Sequence, residues 1–127
     1  MNWMYLVAGI LAAGGVVFHG VYGYLQVPAN LQASTLPTSV LGDGQQTLWM
    51  LRLSWHSFTI VLAVTAVALI NLGLDDTGAT GAPTALGSVL AATVIAWIIG
   101  GGSLRRLLHP GLPIVILTAV LTLLGTV

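Results

Sequence analysis

Two residues that could carry chemistry lie one helical turn apart in an otherwise apolar stretch. Arg52 and His56 stand at the front of a run that stays largely apolar as far as Ile70. An ionisable side chain in a membrane-length segment is costly in lipid, so such residues usually face other helices and mark a functional site by default. The first question is therefore what this pair and its neighbours could do.

A stripe of residues spaced by three and four extends from this pair. Such spacing keeps side chains on one face of a helix. The stripe is polar near Arg52 and small further along, so we expect it to point into a helix bundle rather than toward lipid. Its members are Gln45, Trp49, Arg52, His56, Thr59, Ala63 and Ala66.

A matching stripe on the preceding predicted helix carries a second histidine. Its members are Ala12, Gly15, His19, Tyr22, Gly23 and Gln26. With a helical rise of about 1.5 Å per residue, His19 and His56 are predicted about 9–12 Å below the same membrane surface. One interpretation is structural. His19, His56, Tyr22 and Thr59 would satisfy one another's hydrogen bonds and fix the helix register, as buried polar groups in lipid commonly do.

Three functional interpretations compete with the structural one. In the first, His19 and His56 ligate a b-type haem from both sides, Arg52 meets a propionate, and Trp49 and Tyr22 flank the macrocycle. In the second, the Arg and His residues line the cavity of a small-ligand or proton-linked carrier, although no intramembrane carboxylate accompanies them. In the third, His19, His56 and His109 supply three nitrogens to a metal ion.

Four apolar runs could position these residues across a bilayer, although the last two are short for it, so local thinning of the bilayer or partner contacts should help them. A spanning helix needs about 20 apolar residues, with a lower limit near 17. The runs cover residues 3–25, 48–72, 85–101 and 112–127. These runs predict an all-α integral membrane four-helix bundle, up-down-up-down, formed by one domain over residues 1–127.

Composition supports lipid as the solvent of this chain. Apolar residues make up 57% and charged residues 5%, whereas a soluble domain carries about a quarter charged residues. Zero net charge argues against a nucleic-acid partner, and the absence of cysteine excludes disulfides and thiolate chemistry. No nucleophile motif, phosphate loop or carboxylate pair indicates an enzyme.

The charged residues also predict an orientation. All three Arg residues fall on the side of the first and third connections, while Asp75 and Asp76 lie on the other side. The positive-inside rule then places the protein in a bacterial inner membrane with both termini in the periplasm, and the His and Arg residues near the cytoplasmic leaflet.

A stripe of small residues predicts an oligomer. Helix packing in lipid relies on small residues, and a four-helix bundle has little interior of its own. The stripe consists of Ser88, Ala92, Ala96 and Gly100. We expect a homo-oligomer, or a subunit docked on a larger membrane complex through this stripe.

Three blocks of sequence resemble a pattern in small four-span bacterial membrane proteins. They are FHGVYG at 18–23, LRLSWHSFT at 51–59 and HPGLPIVILTAVLTLLG at 109–125. The resemblance implies a shared scaffold marked by His19, Arg52, His56 and His109, and it implies no activity. The sequence therefore favours a non-enzymatic membrane subunit or scaffold, with a bis-histidine haem protein as the alternative and a carrier as a further alternative.

Overall fold

The structure is a computed structural model that describes residues 1–38, 42–75, 82–83, 86–91, 93–94 and 111–126. These residues form four helical stretches, and two short 3₁₀ helices, Pro28–Asn30 and Ala33–Thr35, lie between the first two. The described residues contain no strand, which confirms the all-α class. The first stretch, α1, joins the α-helix Trp3–Val17, a π-helix Phe18–Gly23 and the short α-helix Tyr24–Gln26. The second, α2, is Gly44–Leu74, and the last, α4, is Gly111–Leu124. The third, α3, is described at 82–83, 86–91 and 93–94.

The helix α2 begins four residues before the expected start at residue 48. The side chain of Asp43 caps it by accepting a hydrogen bond from the backbone N–H of Gln46 at 3.0 Å. The chain before it packs closely, since a Cβ at Gly44 would lie 2.1 Å from the carbonyl oxygen of Ala33. The cap therefore adds a polar first turn that hydrophobicity alone does not reveal.

Contacts along α1 and α2 run in opposite directions. The backbone N–H of Asn2 donates to the carbonyl of Gly73 at 2.9 Å, and at the other end Trp55 donates to the carbonyl of His19. The Asn2 side chain also donates to the carbonyl of Gly125 at 2.9 Å. The beginning of α1 is thus tied to the ends of both α2 and α4.

Two apolar clusters fill the space between the helices. One contains Tyr5, Ala8 and Leu69. The other contains residues from all four helical stretches. Its buried members are Leu62 of α2, Leu90 of α3, and Val115 and Ala119 of α4, and Val16 of α1 packs against them. The buried face of α2 consists of Gly44, Leu48, Leu62, Thr65, Ala66, Leu69 and Gly73.

The outward half of the α2 stripe corrects the sequence prediction. Gln45, Trp49 and His56 are exposed instead of facing the interior, whereas Thr59 is half-buried and Ala66 is buried. Trp55 and Thr59 contact α1 in their place, because Gly23 and Gly20 leave room for them. A shift of one residue rotates a side chain by about 100° around the helix, which is enough to move His56 outward.

Two of the described helices have the length and hydropathy to cross a bilayer. They are Trp3–Asn30, with a mean hydropathy of 1.8, and Gly44–Leu74, with a mean hydropathy of 2.2. A shorter apolar helix covers Pro113–Leu124.

Candidate functional site

His19 lies within a six-residue π-helix, Phe18–Gly23, in the last third of α1. Such segments are rare and occur frequently at functional sites. Two glycines in it allow α2 to approach closely. A Cβ at Gly20 would lie 2.6 Å from the methyl of Thr59, and one at Gly23 would lie 2.9 Å from the indole of Trp55. Glycine at these positions therefore makes the site around His19 possible.

The imidazole of His19 is held by three side chains of α2. Its ring stacks on the indole of Trp55, with centroids 4.2 Å apart and planes 12° apart. The ring of Phe58 meets it edge-on at 5.0 Å. Its Nδ1 lies 3.0 Å from the hydroxyl oxygen of Thr59.

Two further hydrogen bonds fix this arrangement and indicate the tautomer of His19. The indole N–H of Trp55 donates to the carbonyl of His19 at 3.0 Å, and the Thr59 hydroxyl donates to the carbonyl of Trp55 at 3.0 Å. Because the hydroxyl has one proton, Thr59 accepts from an Nδ1–H of His19. We call the set His19, Trp55, Phe58 and Thr59 the His19 cluster.

His56 lies on a different surface from the His19 cluster. Its side chain is exposed and its ring lies 4.9 Å from that of Tyr24, at an interplanar angle of 32°. The two imidazoles therefore pack on different aromatic rings. Trp49 and Tyr22 are 58% and 57% exposed, and Tyr22 stacks on Phe18 at 5.4 Å.

Arg52 anchors the first connection to α2. Its Nε–H donates to the carbonyl oxygen of the buried Pro28 at 3.3 Å. The side chain of nearby Asn30 donates to the carbonyls of Leu25 and Gln26 at the end of α1, where helix carbonyls lack partners within the helix. Arg52 thus has a backbone partner where the sequence suggested a haem propionate.

The geometry around the two histidines does not fit a haem held between them. One face of the His19 ring is covered by Trp55, its Nδ1 is bonded to Thr59, and His56 points outward. The cavity beside His19 has a volume of about 30 Å³, whereas cofactor pockets have about 300–1,000 Å³. That cavity accommodates one or two water molecules.

The remaining predicted site residues lie largely outside the described chain. His109, Ala92, Ala96 and Gly100 fall there, while Ser88 is described and exposed. Within the ranges given above, no group of three His, Asp or Glu residues is placed to hold a metal ion.

Trp55 is the functional residue that sequence reasoning missed. It contributes both the stacking surface and the N–H donor that hold His19. Its spacing of four from Thr59 gave a usable signal, since residues four apart share a helical face. The predicted stripe contains His56 in place of the adjacent Trp55.

No protein-family profile, curated protein or solved structure matches this chain.

Proposed function

We propose that this chain is a multi-pass protein of the bacterial inner membrane that serves as a non-enzymatic subunit or scaffold of a membrane complex. The observation that carries the proposal is the apolar outer surface of α1 and α2. Ile10, Val17, Ile60 and Val64 are each 58–64% exposed. An apolar surface of this extent indicates contact with lipid or with other membrane helices.

An up-down-up-down arrangement agrees with the helix contacts. Asn2 of α1 is bonded to the ends of α2 and α4, so both run opposite to α1. Gly87 of α3 packs against Leu123 near the end of α4, and Leu90 packs in the cluster with Val115. These contacts support α3 running parallel to α1.

The orientation follows from the basic residues. Arg52 lies near the start of α2, and Arg105 and Arg106 precede α4 in the sequence, so the proposed topology puts all three on one side. The positive-inside rule makes that side cytoplasmic. Both termini are then periplasmic.

The hydrogen bonding of the buried polar groups favours a scaffold role over haem binding and transport. No buried side-chain nitrogen or oxygen of the described residues is without a hydrogen-bond partner. The His19 cluster joins α1 to α2 through its own hydrogen bonds, which is how polar groups fix helix register in lipid. A carrier would require a larger cavity than the one beside His19.

Purification in mild detergent after an alkaline carbonate wash tests the proposal. We expect the chain to stay in the membrane pellet and to elute as a homo-oligomer or with a larger complex. The purified protein should show no Soret band, with or without added haem. Release by carbonate would refute the membrane assignment. A Soret band that disappears in both His19→Ala and His56→Ala would replace the scaffold with a haem protein.

The small-residue stripe gives the proposed contact within such a complex. Ala92→Trp would place a bulky ring where helices are proposed to pack closely, so the oligomer or complex should dissociate. Ile60→Trp changes an exposed residue of α2 and serves as the size-matched control. An unchanged mass of Ala92→Trp by light scattering would exclude this face.

A further inference from the structure

The length of α2 places its first third outside the hydrocarbon layer. Its 31 residues extend about 46 Å at about 1.5 Å per residue, whereas the apolar core of a bilayer is about 30 Å thick. The bond between Asn2 and Gly73 marks one boundary of the paired helices. About 20 residues from that boundary reach the neighbourhood of Ser54 in α2 and of Tyr22 in α1. Residues 44–53 then lie level with the lipid headgroups.

Four side chains form one surface at the boundary between this level and the hydrocarbon. Trp49, Arg52 and His56 share the outward half of the α2 stripe, and the ring of Tyr24 lies against His56. Trp49 and His56 are exposed, while Arg52 and Tyr24 are half-buried. Aromatic side chains are favoured at the headgroup level because they combine an apolar body with a polar tip. We call this set the headgroup face.

The guanidinium of Arg52 has no carboxylate partner among the described residues. Its Nε–H is bonded to Pro28, which leaves the terminal N–H groups as donors. The nearest Asp along α2 is Asp43, whose carboxylate caps the helix more than two turns away. Arg52 and His56 are four residues apart and therefore neighbours on the helix surface.

We infer that the headgroup face binds the phosphate of an anionic phospholipid. The bond to Pro28 orients Arg52, whose terminal N–H groups contact the phosphate, while His56 and Tyr24 supply further donors. Trp49, about one helical turn farther from the bilayer centre than Arg52, lies beside the outer part of the headgroup. The phosphate belongs to a lipid because the headgroup face is level with the headgroups, and the cytoplasmic leaflet carries anionic lipids. This inference rests on the proposed membrane location.

Native mass spectrometry of the detergent-solubilised protein tests the inference. Phosphatidylglycerol and phosphatidylcholine are added at equal concentration, and inorganic phosphate is added in a separate arm. We expect retention of phosphatidylglycerol over phosphatidylcholine. Arg52→Gln should reduce the phosphatidylglycerol-bound fraction about five-fold, the effect of removing one basic residue near an anionic surface. The double variant Arg52→Gln/His56→Ala should show a still smaller phosphatidylglycerol-bound fraction.

Control variants separate binding from folding. Ser57→Ala removes an exposed hydroxyl next to His56 but off the stripe, so it should retain lipid like the wild type. If Arg52→Gln unfolds through loss of the Pro28 bond, the His56→Ala variant decides. His56 packs on the ring of Tyr24 and forms no hydrogen bond with the other described residues, so its removal should leave the fold intact.

The experiments distinguish failure of the headgroup site from failure of the proposed membrane location. Equal retention of both lipids, or phosphatidylglycerol binding unchanged in Arg52→Gln and His56→Ala, overturns the headgroup site while leaving the membrane assignment intact. Displacement of the lipid by inorganic phosphate also overturns it and indicates a soluble phosphate ligand. Release of the chain by carbonate overturns the membrane location itself.

Discussion

At the scale of single residues, the contact between His19 and Thr59 is the side-chain hydrogen bond of the His19 cluster that joins α1 to α2. The Thr59 hydroxyl accepts from His19 at 3.0 Å and donates within its own helix. Thr59→Val keeps the shape and removes the acceptor. We expect a loss of about 0.5–1.5 kcal/mol of unfolding free energy, the usual net value of one such bond. Reversible unfolding in mixed micelles measures it.

A second threonine provides the matched control for Thr59. The Thr93 hydroxyl donates to the carbonyl of Val89 at 2.9 Å, the same bond to the residue four positions earlier. Thr93→Val should therefore change stability much less. A double-mutant cycle with His19→Ala isolates the pair. A coupling energy near zero would show that His19 and Thr59 do not act together.

The polar members of the two stripes lie only partly where the sequence predicts, because Tyr22, Trp49 and His56 are exposed. His19 faces α2 and Thr59 meets it, as the two stripes suggest. His56 was expected beside them and instead lies against Tyr24. Whether Trp55 or His56 contacts α1 depends on the space that Gly23 leaves on that helix. Periodicity within one helix does not contain that information.

At the scale of elements, glycines set the distance between α1 and α2. A Cβ at Gly9 would lie 2.7 Å from Cγ1 and 2.8 Å from the backbone nitrogen of Ile70. Gly9→Ala must therefore push the helices apart, at a cost of about 1–3 kcal/mol, as for other overpacked sites. The midpoint of thermal unfolding in detergent should fall accordingly.

Gly14 supplies the control on the same helix. A Cβ there would meet nothing within 4 Å. Gly14→Ala should leave stability unchanged or raise it by up to about 1 kcal/mol, because alanine favours helix more than glycine does. Equal destabilisation by both substitutions would show that helix propensity, rather than the close approach, determines the effect.

The helices themselves could be predicted from hydropathy, but not their internal geometry. The run from residue 3 to 25 corresponds to α1, which ends at Gln26. The apolar pattern does not predict its π-helical segment, because Phe18–Gly23 is defined by backbone bonds rather than by side-chain periodicity. The early start of α2 required recognising Asp43 as a cap.

At the scale of the whole molecule, the proposed orientation makes the two ends of α2 face opposite compartments. The cap at Asp43 and the bond from Asn2 to Gly73 define these ends. Because α2 is longer than the hydrocarbon layer, Gln45 lies in the hydrated cytoplasmic headgroup layer and Asp75 lies at the periplasmic surface. Both the headgroup face and the topology depend on this placement.

The absence of cysteine from the chain allows single thiols to test that placement. Maleimide reacts with a hydrated thiolate, so a thiol in hydrocarbon stays unlabelled. In intact spheroplasts, an impermeant maleimide should label Asp75→Cys, whereas Gln45→Cys should react only after permeabilisation. Val64→Cys, exposed on the apolar middle of α2 at 62%, should react only after denaturation. Labelling of Gln45→Cys and Asp75→Cys from the same side would mean that α2 does not cross the membrane. Early labelling of Val64→Cys would place this apolar face in water, where exposed Ile and Val side chains would be costly.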